Sequence, residues 1–212
     1  MSTDISGLRI EYKKQSLRKR DVDPSPTIQF KQWFDDALNA QVPEPNAMTL
    51  STVNADGQPS GRVVLLKGMD ADGFSFYTNY SSRKGVELKQ NPKAALTFFW
   101  MELERQVRIE GDVEFVSAEE STKYFDSRPL GSRIGAHVSP QSQSIDSREW
   151  LENRLEEMTL KVGEHPTRPE NWGGYVLKPT WMEFWQGRPS RLHDRIAYKL
   201  VNGNWEIERL AP

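Results

Sequence analysis

A chain of 212 residues with 36% hydrophobic content and seven tryptophans can bury a sizeable core, as one large domain or two small ones. Twenty-eight Lys plus Arg against 30 Asp plus Glu leave a formal charge of −2, which argues against a general nucleic-acid or membrane-surface binder and makes any anion site local. Cysteine is absent, which excludes disulfides, iron–sulfur clusters and thiol nucleophiles.

The opening MSTDISG lacks the basic and apolar regions of a secretory signal. The longest apolar-rich run, AALTFFWM at 94–101, falls far short of the roughly 20 residues a membrane helix needs. A soluble cytoplasmic protein is expected. The basic run LRIEYKKQSLRKRD at 8–21, followed by the breaker DPSP at 23–26, reads residues 1–25 as a mobile arm ahead of a single domain over 26–212. From Pro26, the residues Phe30, Trp33, Phe34, Ala37 and Leu38 form the apolar stripe of a packed helix.

The period then changes to that of strands: AMTLSTVN, GRVVLLKG and FSFYTN, with Asp-Gly pairs at 56–57 and 72–73 marking hairpins. A short helical piece, SSRKGVELKQ, precedes two more strand-like runs, AALTFFWM and QVRIEGDVEFV. SAEE at 117–120 is a capping-box signature for a helix through Tyr124 and Phe125. A loop rich in Gly, Ser and Pro is expected over 127–145, then a helix with Leu151, Leu155, Met158 and Val162 on one face. The tail returns to strands: YVLKP, WMEFWQG, RLHDRIAYKL and NWEIERL. About six or seven short strands joined by tight turns imply antiparallel pairing, so the fold class is α+β, mainly β, an antiparallel barrel with peripheral helices.

Several chemistries have no support. No G-x-G-x-x-G, P-loop or G-x-S-x-G motif occurs. His137, His165 and His193 lie in separate segments without ligand spacing, so no metal site is expected. An enzyme of this composition would borrow its reactive group from a cofactor.

What the chain does offer is clustered cations. In NYSSRKG at 79–85, Ser81 or Ser82 can cap a helix whose free N–H groups stand beside Arg83 and Lys84, a phosphate cradle; the alternative is an ordinary capped surface helix. RVVLLK brackets four apolar residues with Arg62 and Lys67, whose spacing of five places them on opposite faces of a flat strand, so that one ligand would reach both only past a bulge. KYFDSRPLGS at 123–132 adds Lys123, Tyr124, Arg128 and Ser132. If the stretch after Pro189 is a strand, Arg191, His193 and Arg195 share one face; the alternative is a solvated edge. The cations exceed one phosphate's need and suit two phosphorylated ligands, a cofactor and a substrate.

RVVLLKG, FYTNYSSRKG, ERQVRIEG, KYFDSRP, IGAHVSPQS, FWQGRPSRLHDR and the terminal ERLAP, in that order, closely resemble the pyridoxamine 5′-phosphate oxidase family. The resemblance implies an FMN-binding split β-barrel and a homodimer with FMN at the subunit interface. It implies oxidation of pyridoxine 5′-phosphate or pyridoxamine 5′-phosphate to pyridoxal 5′-phosphate, with dioxygen as acceptor and hydrogen peroxide as product. By the same resemblance Arg62, Val63, Val64, Leu65, Leu66, Lys67, Tyr77, Thr78, Arg83, Lys84, Gln106, Gln141, Ser142, Trp185 and Arg195 are expected to contact FMN. Lys67, Tyr124, Arg128 and Ser132 are expected on the substrate phosphate, Arg191 and His193 over the pyridine ring as the catalytic pair, and Arg9 and Tyr12 on a segment that closes over the substrate. Ile10, Glu44 and His137 depart from the family's commonest residues.

Overall fold

Ser25 begins the first regular element: its side chain accepts from the N–H of Ile28, and Pro26 occupies the first helical position, where its missing N–H costs nothing. In the computed structural model, which describes Gly7 and residues 11–70 and 72–212, this helix α1 runs Pro26–Asn39. Its stripe buries Phe30, Trp33 and Ala37, whereas Phe34 is half-buried and Leu38, expected inside, is 52% exposed.

The remaining elements are β1 (Ala47–Val53), β2 (Pro59–Leu65), β3 (Gly68–Asp70), β4 (Gly73–Asn79), α2 (Arg83–Gln90), β5 (Lys93–Trp100), β6 (Arg105–Phe115), α3 (Ala118–Ser127), α4 (Leu130–Val138), α5 (Arg148–Val162), β7 (Trp172–Gln186), β8 (Asp194–Val201) and β9 (Asn204–Leu210). The strands hydrogen-bond in the order β2-β1-β5-β6-β7-β4-β3, with β8 on β7 and β9 on β8. The pairs β3–β4, β4–β7, β7–β8 and β8–β9 are antiparallel. The expected mainly-β α+β class is therefore observed, with nine strands among the described residues rather than six or seven.

Contacts divide the chain into two units, and β5, β6 and β7 each begin in one and end in the other. The first comprises Met1–Met48, Leu96–Glu110 and Pro179–Pro212. Its core is aromatic: Trp33 meets Phe184 edge-on at 5.2 Å, Phe30 meets Phe98 at 5.0 Å, and Tyr198 is fully buried with its hydroxyl donating to the Asp23 carbonyl. The second comprises Thr49–Ala95 and Gly111–Lys178. Phe74, Phe76, Phe125 and Leu177 are fully buried there. Gly73 begins β4 at φ +135, and a Cβ at that position would lie 2.1 Å from the Leu177 carbonyl oxygen, so only glycine fits. Among the described residues, no helix is long and apolar enough to cross a membrane.

Three local expectations are overturned. The stretch 127–145 is not one loop: α4 forms within it, because Ile134 and Val138, four residues apart, bury one face against Met158 of α5 and so outweigh two glycines. YVLKP and WMEFWQG are parts of one 15-residue strand, β7, which carries Pro179 within it. The strand expected from Arg191 starts only at Asp194, because Ser190 and Arg191 adopt left-handed backbone at φ 56 and 59. Arg191 and His193 therefore precede the strand and do not share a strand face with Arg195.

Candidate active site

Within the second unit, a cavity of about 330 Å³ is lined by Arg62, Val63, Val64, Leu65, Lys67, Tyr77, Thr78, Lys84, Tyr124, Arg128, Gln141 and Trp172. Eleven of these were expected from sequence, and Trp172 was not. β2 ends at Leu65, and the N–H of Lys67 then donates to the Ser75 carbonyl at 2.8 Å. Lys67 lies beyond the end of β2 and so outside its alternation, and Arg62 and Lys67 line one cavity.

One wall is stacked aromatic. Tyr77 and Tyr124 lie 3.9 Å apart between ring centroids at 23°, Trp172 is 5.7 Å from Tyr77, and the Arg128 guanidinium sits 4.5 Å from the Trp172 ring centroid. Burial pushes both tyrosine hydroxyls up, so they stay protonated donors. Burial also pushes the Arg128 guanidinium down, and its Nη1 is buried without a protein partner. An unpartnered buried guanidinium nitrogen asks for an acceptor.

The other wall is set by α2. The buried Ser82 caps it, accepting from the Gly85 N–H at 3.3 Å and donating to the Asn79 carbonyl at 2.7 Å. Lys84 Nζ reaches Thr78 Oγ1 at 3.1 Å and Gln141 Oε1 at 2.9 Å, with no carboxylate within ion-pair distance among the described residues. Burial, and then the charge of Arg62, lowers its pKa, which an incoming anion would reverse. Arg62 directs Nη1 to the Leu50 carbonyl and Thr52, and Nη2 to Ser60 and Glu87.

Glu87, which sequence reasoning did not single out, is the common counter-ion. It is 3% exposed and accepts from Ser60 at 2.7 Å, Arg62 at 3.1 Å and Arg83 at 2.8 Å, as well as from Thr52. Burial opposes its charge most strongly, yet these hydrogen bonds and the Arg62 charge prevail and bring its pKa down to about 2. The spacing Arg83–Glu87 is an i, i+4 pair, the one signal that could have found it. Four cations and no acid line the cavity among the described residues. That donor set fits a phosphate-bearing ligand, and the aromatic wall fits a flat ring. Leu66, Arg83, Ser132 and Ser142 belong to the same unit but are not among the lining residues: Leu66 is buried, Arg83 is turned to Glu87, and Ser132 and Ser142 are exposed.

Gln106, Tyr12, Trp185, Arg191, His193 and Arg195 belong to the first unit, and Arg9 lies outside the described residues. Gln106 is on the half-buried face of β6, between buried Arg105 and Val107. Tyr12, Trp185 and His193 form a ring cluster: Trp185–His193 at 4.6 Å, Tyr12–Trp185 at 5.7 Å and Tyr12–His193 at 6.0 Å. Tyr12 is brought there by the segment after it. Glu104 Oε2 accepts the N–H groups of Lys13 at 2.9 Å and Lys14 at 3.0 Å, and Asp194 accepts that of Leu17 at 3.0 Å. Arg191 is exposed. Arg195 is gripped by Glu183, buried on β7, through Nε at 2.6 Å and Nη2 at 3.0 Å, while its Nη1 donates to the Ala211 carbonyl at 2.8 Å. Glu183, too, went unseen in the sequence.

Residues 34–161 match the family described as pyridoxamine 5′-phosphate oxidase, and residues 172–212 match the pyridoxine 5′-phosphate oxidase C-terminal dimerisation region. A pyridoxine/pyridoxamine 5′-phosphate oxidase of Cupriavidus metallidurans is 60% identical over 99% of this chain and all of its own length. The one of Bordetella petrii is 62% identical over 98% of this chain and 99% of its own. Among solved structures, PhzG of Burkholderia lata, in complex with tetrahydrophenazine-1-carboxylic acid, aligns with a TM-score of 0.86 at 32% identity, covering 91% of this chain and 95% of its own. A pyridoxamine 5′-phosphate oxidase-related, FMN-binding protein of Nostoc punctiforme shares the fold at TM-score 0.73 and 17% identity, over 90% of this chain and 100% of its own. The fold is the split β-barrel of FMN-binding proteins, and a cation-lined, aromatic-walled cavity with relatives this similar over their full length leaves one assignment: the chain belongs to the pyridoxamine 5′-phosphate oxidase family of FMN-dependent oxidoreductases.

Proposed function

We propose that the protein oxidises pyridoxine 5′-phosphate or pyridoxamine 5′-phosphate to pyridoxal 5′-phosphate, with dioxygen as terminal acceptor and hydrogen peroxide as product. The observation that carries this reading is a cavity lined, among the described residues, by four cations, Arg62, Lys67, Lys84 and Arg128, and by no acid. Its donors exceed what the phosphate of FMN requires. When bound, FMN supplies the two-electron oxidising capacity that no residue of this chain has.

The chain's own groups orient and neutralise. In this reading Arg62 and the stretch through Lys67, with Tyr77, Thr78, Arg83, Lys84, Gln141 and Ser142, hold the cofactor, joined by Gln106, Trp185 and Arg195. Lys67, Tyr124, Arg128 and Ser132 hold the substrate phosphate, so that the buried Arg128 Nη1 gains its missing acceptor. Arg191 and His193 face the pyridine ring, and Arg9 with Tyr12 close over it. Positioning two rings face to face supplies most of the acceleration asked of the protein. Function as a homodimer is supported by the match of residues 172–212 to a dimerisation region.

The similarity to PhzG favours a second reading, a flavin oxidase acting on a tricyclic carboxylic acid. Steady-state oxidation of pyridoxine 5′-phosphate, with peroxide measured, compared against dephosphorylated pyridoxine and tetrahydrophenazine-1-carboxylic acid, separates the two. Turnover of the phosphorylated substrate at least about a hundredfold more efficient than that of pyridoxine is expected from two charge-assisted hydrogen bonds. Preference for the tricyclic acid would overturn the first reading.

A further inference from the structure

His193 closes a loop rather than standing in the strand that follows it. The chain leaves β7 at Gln186, turns through Gly187 and Arg188, and passes Ser190 and Arg191 in left-handed backbone. That tight turn aims the Arg188 N–H back across the loop, and it donates to His193 Nδ1 at 3.1 Å. A backbone N–H can only donate, so Nδ1 must present its lone pair and the ring proton of the neutral imidazole must sit on Nε2. The loop geometry thus chooses the tautomer.

We propose that His193 acts in this enzyme as a fixed Nε2–H hydrogen-bond donor to an oxygen of the bound ligand, and not as the base that removes a proton. Protonation of the neutral ring would have to occur at Nδ1, and the proton there would meet the Arg188 N–H head-on. A histidine that works as a base usually has the opposite arrangement, a carboxylate receiving Nδ1–H and stabilising the imidazolium. Here the flanking groups are Trp185 from β7, Tyr12 from the N-terminal segment, the Arg188 amide and the Arg191 charge. The adjacent carboxylate, Asp194, is engaged elsewhere: it accepts from Leu17 and Arg209 and lies 3.5 Å from the Arg188 guanidinium. Burial first, and then the Arg191 charge, holds the imidazole pKa below its ordinary value, in keeping with a ring that stays neutral. Among the described residues no protein group engages Nε2, which leaves the donor for a ligand.

Gly187 keeps this arrangement in place. A Cβ there would come within 2.7 Å of the Tyr12 ring, so the loop's first residue must be bare for Tyr12 to lie against Trp185 and His193.

The role assigned to His193 rests on the proposed oxidase reading, whereas the tautomer does not, and the experiment keeps them apart. Nitrogen-15 NMR of the imidazoles in FMN-loaded protein without substrate, with the His193 signals identified by their loss in His193→Asn, reads the protonation state directly. An unprotonated Nδ1 and a protonated Nε2, unchanged between about pH 8 and about pH 6, are expected. A proton on Nδ1, or an imidazolium at about pH 6.5, would overturn the proposal. Kinetics then test the role. Gln places an amide N–H near the position of Nε2, while Asn places its amide near Nδ1 and can still accept from Arg188. His193→Gln is therefore expected to keep kcat with pyridoxine 5′-phosphate within about tenfold, and His193→Asn to lose about ten- to hundredfold with FMN content unchanged. Equal losses in both, with removal of an acid limb from the kcat/KM profile, would identify a base instead and sink the donor role. Absence of turnover in the wild type would refute the oxidase reading and leave the NMR result standing on its own.

Discussion

Arg62 and Arg83 are held by the buried Glu87 and Arg195 by the buried Glu183, whereas Arg128 and Arg191 have no carboxylate among the described residues, and that difference determines what each substitution does. Arg195 donates twice to Glu183 and once to the Ala211 carbonyl, whereas Arg191 is exposed and its side chain makes no hydrogen bond or ion pair among the described residues. Arg191→Ala is therefore expected to leave the protein yellow and lower kcat/KM for pyridoxine 5′-phosphate by about ten- to hundredfold, the worth of one charged hydrogen bond. Arg195→Ala should also weaken FMN binding and, by leaving Glu183 with a single cation, Arg108, reduce stability. Flavin content and kinetics measured together check this, and full kinetics in Arg191→Ala would show that its charge is merely solvated. Glu87 gives a pH prediction. Its folded pKa, about 2, lies below its ordinary 4.5, so its contribution to stability is complete above about pH 4.5 and is lost as pH falls toward 2. Denaturant unfolding of Glu87→Gln should lack that part of the acid loss and show a stability deficit of about 1–3 kcal/mol at neutral pH. An unchanged acid profile in the variant would contradict the assignment.

Elements place these residues, and α2 shows how narrowly. Its cap, Ser82, is buried and bonded at both donor and acceptor, and the next two residues are Arg83 and Lys84. Ser82→Ala should cost about 1–2 kcal/mol in chemical denaturation and weaken FMN binding in proportion to the fraying of the first turn; an unaltered flavin affinity would detach the cap from the cradle. This helix was legible because capping, charge and period all agreed within SSRKGVELKQ. α4 was not, since Gly131, Gly135 and Pro129 announce a loop, while the force that makes a helix there, burial of Ile134 and Val138 on Met158, comes from residues about 20 positions away. The start of β8 was misjudged for a related reason: alternation in RLHDR is a real pattern, but the two left-handed residues before it break the strand, and nothing in Ser190 or Arg191 as residue types signals that conformation. The cavity's lining was the most legible part of the site, carried by motifs rather than periodicity. Glu183 was invisible and Glu87 was hinted at only by its i, i+4 spacing from Arg83, because a buried carboxylate is recognised by its partners, most of which only the folded chain supplies.

For the whole molecule, ligand binding and association are the measurable consequences. Residues 172–212 match a dimerisation region, and sedimentation of the flavin-loaded protein at micromolar concentration should give a dimer, an active monomer being the contrary result. The cofactor's phosphate offers the sharper test. Of the cavity's cations Arg62 is paired with Glu87, whereas Lys67, Lys84 and Arg128 have no ion pair among the described residues, and burial presses both Lys84 and Arg128 toward losing charge. A ligand that binds only the folded state stabilises it by about 2.7 kcal/mol at a hundredfold excess over Kd. For a protein of this size that corresponds to a rise in Tm of roughly 5–10 °C. FMN should produce a rise of that order. Riboflavin carries the same ring without the phosphate, so at equal concentration its rise should be only a small fraction of that, because it leaves the cations unanswered. High salt should shrink the FMN shift by screening those cations while leaving the riboflavin shift nearly untouched. Equal shifts from the two flavins would mean that the ring alone is recognised and that the cations around the cavity serve some other anion.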